Sequence, residues 1–429
     1  MRWQNWAGNQ VMEPAGVVHP RGTDEIVQAV KGAAAQGQRV KAIGSGHSFT
    51  SIGLTDGVLL QLDRHDALLS LDADGLATVQ AGLPLHRLNA VLAERGRSLV
   101  NMGDVDAQTV SGAISTGTHG TGRASASIAA QVAALELVLA DGSVVTCSPT
   151  ERPELFEHAR VGLGALGVIS TVTFRTVPLF HLHADERPMR LSDVLDGYEE
   201  LVAANDHFEF FWFPHTDVAL TKRNTITTEP LAPLSAGKLW FEDVFLSNHV
   251  FGAVCSIGAL APRIIPGINR FSARALSART YTDIAPKVFI SRRTVRFHEM
   301  EYAVPREVLP ELFREIQAAI ERSGERISFP IEVRCAPADD IPLSTASGRD
   351  SAYVAVHQYR KTPYERYFAT IEKLFAEVGG RPHWGKLHTL GAADLRQRYP
   401  RFADFLAVRR EVDPEGLFRN RYLDTVLGS

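Results

Sequence analysis

At 429 residues the chain is too long for one ordinary hydrophobic core, and its length points to two domains. An apolar fraction of 45% and a charged fraction of 22% are ordinary globular values and exclude wholesale disorder. The formal net charge of -4, from nearly balanced acids and bases, gives no reason to expect a nucleic-acid partner.

The N-terminal run MRWQNWAGNQ has no apolar signal segment. Helical spacing then covers residues 25–36, with Thr23 as a candidate cap. Residues 39–43 read as a short strand running into GSGHSF. Residues 57–62 and 77–81 are further strands, and 85–95 a helix. Residues 134–139 and 143–147 flank Asp141-Gly142, the signature of a hairpin. Residues 167–177 alternate as a strand. Past about residue 179 the pattern changes: longer strands at 207–213 and 331–334 mix with helices such as 310–322. That predicts an α+β domain with a mainly antiparallel sheet. The expected division is 1–178 and 179–429, with the last ~20 residues, around DPEGLFRNRYL, returning to the first domain.

No stretch reaches about 18 consecutive apolar residues, so no transmembrane segment is expected. A peripheral membrane contact is left open. The segment 263–279 holds four arginines and no acid. It reads either as a solvated helix face or as a surface for a phosphate or other anion. Cys147, Cys255 and Cys335 fit no zinc or redox spacing, which predicts no metal site and a reduced, cytoplasmic setting.

Two glycine-rich segments carry the first domain's chemistry. One is Gly44-Ser45-Gly46-His47-Ser48-Phe49; the other runs from Ser111 to Gly122. Glycine lets backbone N–H groups approach a ligand, and serine and threonine add hydroxyl donors, so the pair could form an anion nest. Each alone reads first as tight-turn chemistry; two in one domain, one holding a histidine between Gly and Ser, favour a dinucleotide. Neither has the G-x-G-x-x-G spacing or a phosphate-loop lysine. His47, between Gly46 and Ser48, could reach a ligand held by its own loop, and neutral imidazole is a competent nucleophile.

In the second domain, Glu332 and Arg334 share one face of a strand. They could be an exposed ion pair or part of a site. Tyr353, Ala355, His357 and Tyr359 share a face of the next strand, which could equally be plain amphipathic structure. The turn Arg381-Pro382-His383-Trp384-Gly385-Lys386 is dense in reactive groups.

Taken in order, NWAGN, AIGSGHSF, STGTHGTG, GALGVIS, MEYAVP, EVR, RPHWGK and DPEGLFRN resemble the aldonolactone oxidoreductases of the vanillyl-alcohol-oxidase-like flavoproteins. That group includes L-gulono-1,4-lactone and D-arabinono-1,4-lactone oxidoreductases and alditol oxidase, and the match runs nearly end to end. DHFEFF, KVF and VAVHQY look most like the actinobacterial L-gulono-1,4-lactone dehydrogenase type. The resemblance implies a PCMH-type FAD-binding domain of two α+β subdomains, followed by a substrate (cap) domain. It also implies that FAD is bonded to His47. A second covalent link would need a cysteine in NMGDVDAQTV, where there is none.

By the same resemblance Gly44, Ser45, Gly46 and Ser48 contact the cofactor. So do Gly103, Asp104, Ser111, Ser115, Gly117, Thr118, His119 and Gly120, with Val168 and Ile169 from the strand start. Glu332, Arg334, His357 and Lys386 become the catalytic set. The implied reaction is oxidation of the C2 hydroxyl of an aldono-1,4-lactone by hydride transfer to flavin N5, giving an ascorbate-type product. Arg334 would stabilise the alkoxide. The electron acceptor would be oxygen or a cytochrome-like or artificial acceptor. Rival readings are an alditol oxidase acting on a polyol such as xylitol or sorbitol, a nicotinamide dehydrogenase and a non-catalytic flavin-binding protein. The missing Rossmann fingerprint speaks against the nicotinamide enzyme, and the Glu332–Arg334–Lys386 constellation against the binding protein.

Overall fold

The structure is a computed structural model that describes residues 2–125, 127–291 and 293–428. Its N-terminal part contains two sheets. Gly16–Val18, Val58–Gln61 and Val40–Ile43 form a parallel sheet in that spatial order. The helix Thr23–Ala35 makes the crossover between the first and last of these strands, turning Ile26, Val30 and Ala33 into the core. Its cap position is held by Gly22, not Thr23. The Thr23 hydroxyl is instead drawn to Glu136 (3.1 Å) and Ser170 (2.6 Å), tying the helix to the neighbouring sheet. That second sheet is antiparallel, with Val168–Arg175 between Val132–Val138 and Leu76–Gln80. The hairpin around Asp141-Gly142 pairs Val132–Val138 with Val144–Cys147.

The second half is built on an eight-stranded sheet. Its spatial order is Arg279–Ile284, His181–Arg190, Val218–Thr227, His207–Trp212, Ile331–Ala336, Ser351–Tyr359, Phe297–Pro305 and Arg381–Pro382. Every pairing is antiparallel. Period-two alternation sends Phe208, Phe210, Val333, Val354, Val356, Met300 and Tyr302 to one face, against helices Leu309–Ser323 and Glu365–Glu377. The opposite face carries the residues that matter for function and is covered by the N-terminal half.

The chain end packs back on the first half. Phe402, Phe405, Phe418, Leu423 and Val426 join the core that holds Ile26 and Leu60. Val40 N–H donates to Leu417 O, and Asn420 donates to the carbonyls of Ser51, Ile52 and Leu54.

One element departs from the sequence reading. Ala236–Leu260 is a continuous helix, long and apolar enough to cross a membrane by length and composition. Ser247, Asn248 and His249 interrupt its apolar run, so a search for unbroken hydrophobicity passes over it. Over Trp240–Val250 it widens to π geometry. Ser247 Oγ and Asn248 Nδ2 there donate to the carbonyls five residues back, at Glu242 and Asp243.

Candidate active site

The strand Val40–Ile43 delivers the loop Gly44–Ser48 to the mouth of a cavity. The same cavity is lined by Gln108, Thr109, Ser111, Ser115, Leu163, Gly164 and Ile169. Glycine is required in the loop. A Cβ on Gly44 would lie 2.1 Å from Thr109 Oγ1. Gly46 has φ +69°, and its Cβ would meet the Trp3 ring at 2.6 Å.

The NWAGN segment fixes the loop from outside. Trp6 N–H donates to Gly46 O, Asn5 Nδ2 to Ser48 O at 3.0 Å and Asn9 Nδ2 to Phe49 O at 2.9 Å. The Trp6 ring stacks on His47 with centroids 5.6 Å apart. Burial, and then the Lys386 ammonium, lower the His47 pKa to about 4, so its imidazole is neutral at pH 7.

These residues fit a flavin dinucleotide. The glycines let the loop backbone pack closely on Thr109 and Trp3 at the cavity wall, and serine hydroxyls line the cavity. Gln108 Oε1 is buried on the same wall without a hydrogen-bond partner. Of the residues expected at the cofactor, Gly44, Ser45, Gly46, His47, Ser48, Ser111, Ser115 and Ile169 come together here. Gly103, Gly117, Thr118 and Val168 do not line the cavity. Asp104, His119 and Gly120 face the second half instead.

The loop is stitched to the turn 381–386. Phe49 N–H donates to Gly385 O at 2.7 Å, Thr50 Oγ1 donates to Trp384 O at 3.0 Å, and Lys386 Nζ lies over the Phe49 ring. Trp384 is fully buried, with Nε1 donating to Leu343 O, and anchors the turn. His47 and Lys386 thus meet at the seam between the two halves.

On the sheet face that lines the seam, cross-strand register assembles a charge array. Glu209 faces Lys222, Glu332 faces Ala355, Arg334 faces Tyr353, and Glu299 faces His357. Arg334 Nε donates to Glu209 Oε2 at 2.9 Å; its Nη2 meets Glu332 and lies 3.1 Å from Asp104 Oδ1. Arg293 joins Asp104 and approaches Glu332 Oε2 at 3.4 Å. Lys222 Nζ lies 3.3 Å from Glu209 Oε1. Three carboxylates therefore meet three cations. Buried ions cost several kcal/mol each unless paired, and this pairing offsets that cost.

Asp104 and Glu209 are pushed up by burial, but the cations outweigh it and hold both below the usual carboxylate range. Glu332 is the exception: burial raises it despite Arg334 and Arg293. Arg334 and Glu332 are thus a buried pair in a network, and the reading of them as an exposed ion pair is overturned.

A second cluster sits one strand further along. Glu299 bonds Lys386 Nζ through Oε2, and His357 Nε2 lies 3.5 Å from Oε1. His119 Nε2 is 2.6 Å from Glu301 Oε1, and its ring stacks on Tyr353 at 3.5 Å. Burial pushes both glutamates up, but Lys386 and His357 outweigh it at Glu299, and His119 at Glu301, which ends at about 2. Glu209, Lys222, Arg293, Glu299 and Glu301 were not singled out from sequence. HFEFFW and FHEMEYAVP do alternate acids with apolar residues, which is the signal that places Glu209, Glu299 and Glu301 on one sheet face.

Comparison with known proteins identifies the lineage. Residues 172–426 match the D-arabinono-1,4-lactone oxidase family, and residues 14–148 match an FAD-binding domain. The chain belongs to the D-arabinono-1,4-lactone oxidase family. It is 43% identical over 427 residues to L-gulono-1,4-lactone dehydrogenase of Mycobacterium tuberculosis, covering 99% of each chain. It is 34% identical to L-gulonolactone oxidase of Bos taurus, covering 99% of this chain and 98% of that one. Among solved structures, cholesterol oxidase from Brevibacterium sterolicum superposes with a TM-score of 0.85 at 17% identity. That match covers 99% of this chain and 96% of the oxidase, and it shows a shared fold.

Proposed function

We propose that this family member oxidises the C2 hydroxyl of an aldono-1,4-lactone of the L-gulono-1,4-lactone kind, with FAD held covalently on His47. The observation that carries this reading is the meeting of the flavin-loop histidine, Lys386 and the Glu332–Arg334 pair at one seam. The names of relatives such as L-gulono-1,4-lactone dehydrogenase, L-gulonolactone oxidase and D-arabinono-1,4-lactone oxidase support the substrate class.

FAD, when bound, supplies the two-electron acceptor for the C2–H hydride. The chain's residues do the rest. The His47 imidazole, neutral and fixed by Trp6 and Gly46, is the nucleophile suited to a covalent flavin link. Arg334 is locked by Asp104, Glu209 and Glu332 and presents a preorganised positive charge to the substrate oxygen. His357 relays the hydroxyl proton, with Glu299 orienting it. Lys386, held by the same Glu299, fixes the substrate oxygen beside the flavin loop. Residues 1–178 would hold the cofactor and 179–429 the substrate, in a cytoplasmic setting, with electrons passing to a cytochrome-like or artificial acceptor.

The test is anaerobic reduction of the purified yellow protein by a panel of aldonolactones and alditols, followed by admission of air. Bleaching by L-gulono-1,4-lactone, faster than by xylitol or sorbitol, is the expected result. Polyols faster by tenfold or more would make the protein an alditol oxidase. Slow recolouring in air, with rapid recolouring by an artificial acceptor, is expected of a dehydrogenase.

A further inference from the structure

The chain between the helix Ala285–Phe289 and the strand Phe297–Pro305 carries Arg293 to the seam. Both flanks of Arg293 are pinned. Ser291 N–H donates to Asp104 O at 3.0 Å, and the Thr294 amide and hydroxyl donate to Asn248 Oδ1 at 2.7 and 2.9 Å. Arg293 is therefore held between the Asp104 loop of the first half and the long helix of the second.

Its guanidinium is only partly used. Nη2 meets Asp104 and approaches Glu332 Oε2 at 3.4 Å, while Nε and Nη1 have no hydrogen-bond partner among the described residues. Arg334, by contrast, spends Nε on Glu209 and Nη2 on Glu332 and Asp104. Arg293 is also the open member of the array: its side chain is 26% exposed, against 11% for Arg334 and 5% for Glu332. Burial works against its charge, but Asp104 and Glu332 outweigh it, and Glu299 acts with them. Glu299 is the carboxylate that bonds Lys386 and faces His357, so Arg293 is within electrostatic reach of both clusters.

Two guanidiniums thus share the same two carboxylates, Asp104 and Glu332, and stand side by side. Neighbouring cations repel one another. A counter-ion role for Arg293 explains its Nη2 bonds but neither its free donors nor its access. A ligand with two adjacent electron-rich oxygens explains all three. A 2-hydroxylactone has that pattern, with the C1 carbonyl oxygen next to the C2 oxygen. In the proposed mechanism Arg334 serves the C2 oxygen, which leaves the carbonyl for Arg293.

We propose that Arg293 donates to the C1 carbonyl of the bound lactone and is the residue that selects a lactone over an alcohol lacking that carbonyl. The inference rests on the lactone reading of the site. Arg334 cannot make the distinction, because a C2 hydroxyl is common to lactones and polyols. A hydrogen bond from a charged donor is worth about ten- to hundredfold in binding.

The probes are L-gulono-1,4-lactone and the 1,4-anhydroalditol of the same configuration, the same ring with CH2 in place of the carbonyl. Neither gains from extra rotors, so their ratio isolates the carbonyl. Anaerobic flavin reduction at saturating lactone gives its dissociation constant; the anhydroalditol is measured likewise, or as a competitive inhibitor. The unaltered protein should prefer the lactone at least tenfold, and Arg293→Met should narrow that preference to within about threefold. Arg293→Lys keeps a cation for Asp104 and Glu332, so it should retain its flavin, yet an ammonium held by two carboxylates has lost the guanidinium's outer donors, and the preference should narrow equally. Both ligands are measured on one preparation, so the ratio does not depend on how much of a variant folds. Faster reduction of the unaltered protein by xylitol than by the lactone would remove the substrate reading itself. Lactone-first reduction with no carbonyl preference in the unaltered protein, or with a preference that survives either substitution, would overturn this inference alone.

Discussion

Glu299 sits directly opposite His357 in the antiparallel ladder, and one of its oxygens approaches the imidazole while the other bonds Lys386. A single buried carboxylate thereby sets both the position and the charge environment of two proposed catalytic groups.

Glu299→Gln keeps the shape of the side chain and removes its charge. We expect flavin occupancy to persist and the rate of flavin reduction to fall at least tenfold. A structural role alone would lower stability without slowing the reduction of bound flavin. Stopped-flow reduction and thermal unfolding of the same preparation measure both.

His47→Ala should yield folded protein whose FAD is released by acid precipitation, while the unaltered protein keeps its yellow colour in the pellet. The imidazole is neutral, stacked on Trp6 and held at the cavity mouth, which suits it to attack. Complete loss of flavin from the unaltered protein in acid would refute the covalent link while leaving FAD binding intact.

Much of this arrangement was legible in the sequence. The glycine loop, the Asp141-Gly142 hairpin and the Glu332–Arg334 strand carry local signals: backbone freedom, turn chemistry and alternation. The partners were harder to read. Arg293 lies on an irregular segment, and only tertiary packing brings it to Asp104, nearly two hundred residues away. Lys222 and Glu209 are neighbours solely through strand register. His119 belongs to the glycine-rich stretch by sequence, yet its ring serves Glu301 across the seam. The length of the apolar helix Ala236–Leu260 escaped because its apolar run is broken by Ser247, Asn248 and His249.

Acid should destabilise the protein from about pH 6.5 downward. Burial lowers His47, His215 and His388 to about 4 and His383 to about 3. Between these values and the unfolded value near 6.5, the unfolded chain binds more protons, so stability rises with pH across that window and is lost as pH falls. Glu301, at about 2, acts in the same sense below the unfolded carboxylate value. His215 adopts φ 69°, which asparagine also tolerates; its Nε2 accepts from Ile327 N–H at 3.2 Å, a bond whose loss in His215→Asn counts alike at both pH values and drops out of the comparison between them. After allowance for its partial exposure, the variant should recover on the order of 1 kcal/mol of stability at pH 5 relative to pH 7.5. Thermal unfolding of both proteins across that range checks the sign.

Arg334 separates charge from geometry. Its guanidinium bonds Glu209 through Nε and Glu332 and Asp104 through Nη2, a fork no ammonium can reproduce. Arg334→Lys preserves the balance of three carboxylates and three cations, so FAD content should be nearly unchanged. It loses the fixed donor proposed to face the substrate oxygen, and removing one such donor typically costs 10²–10³ in rate. Arg334→Ala should lose as much rate and, in addition, about 3–5 kcal/mol of stability, because Glu209 and Glu332 are left buried with fewer partners. The two variants should therefore match in reduction rate and differ in unfolding. If Arg334→Lys reduces its flavin at a near-normal rate, the guanidinium is a structural counter-ion, and the charge stabilisation assigned to it must come from Arg293 or Lys386.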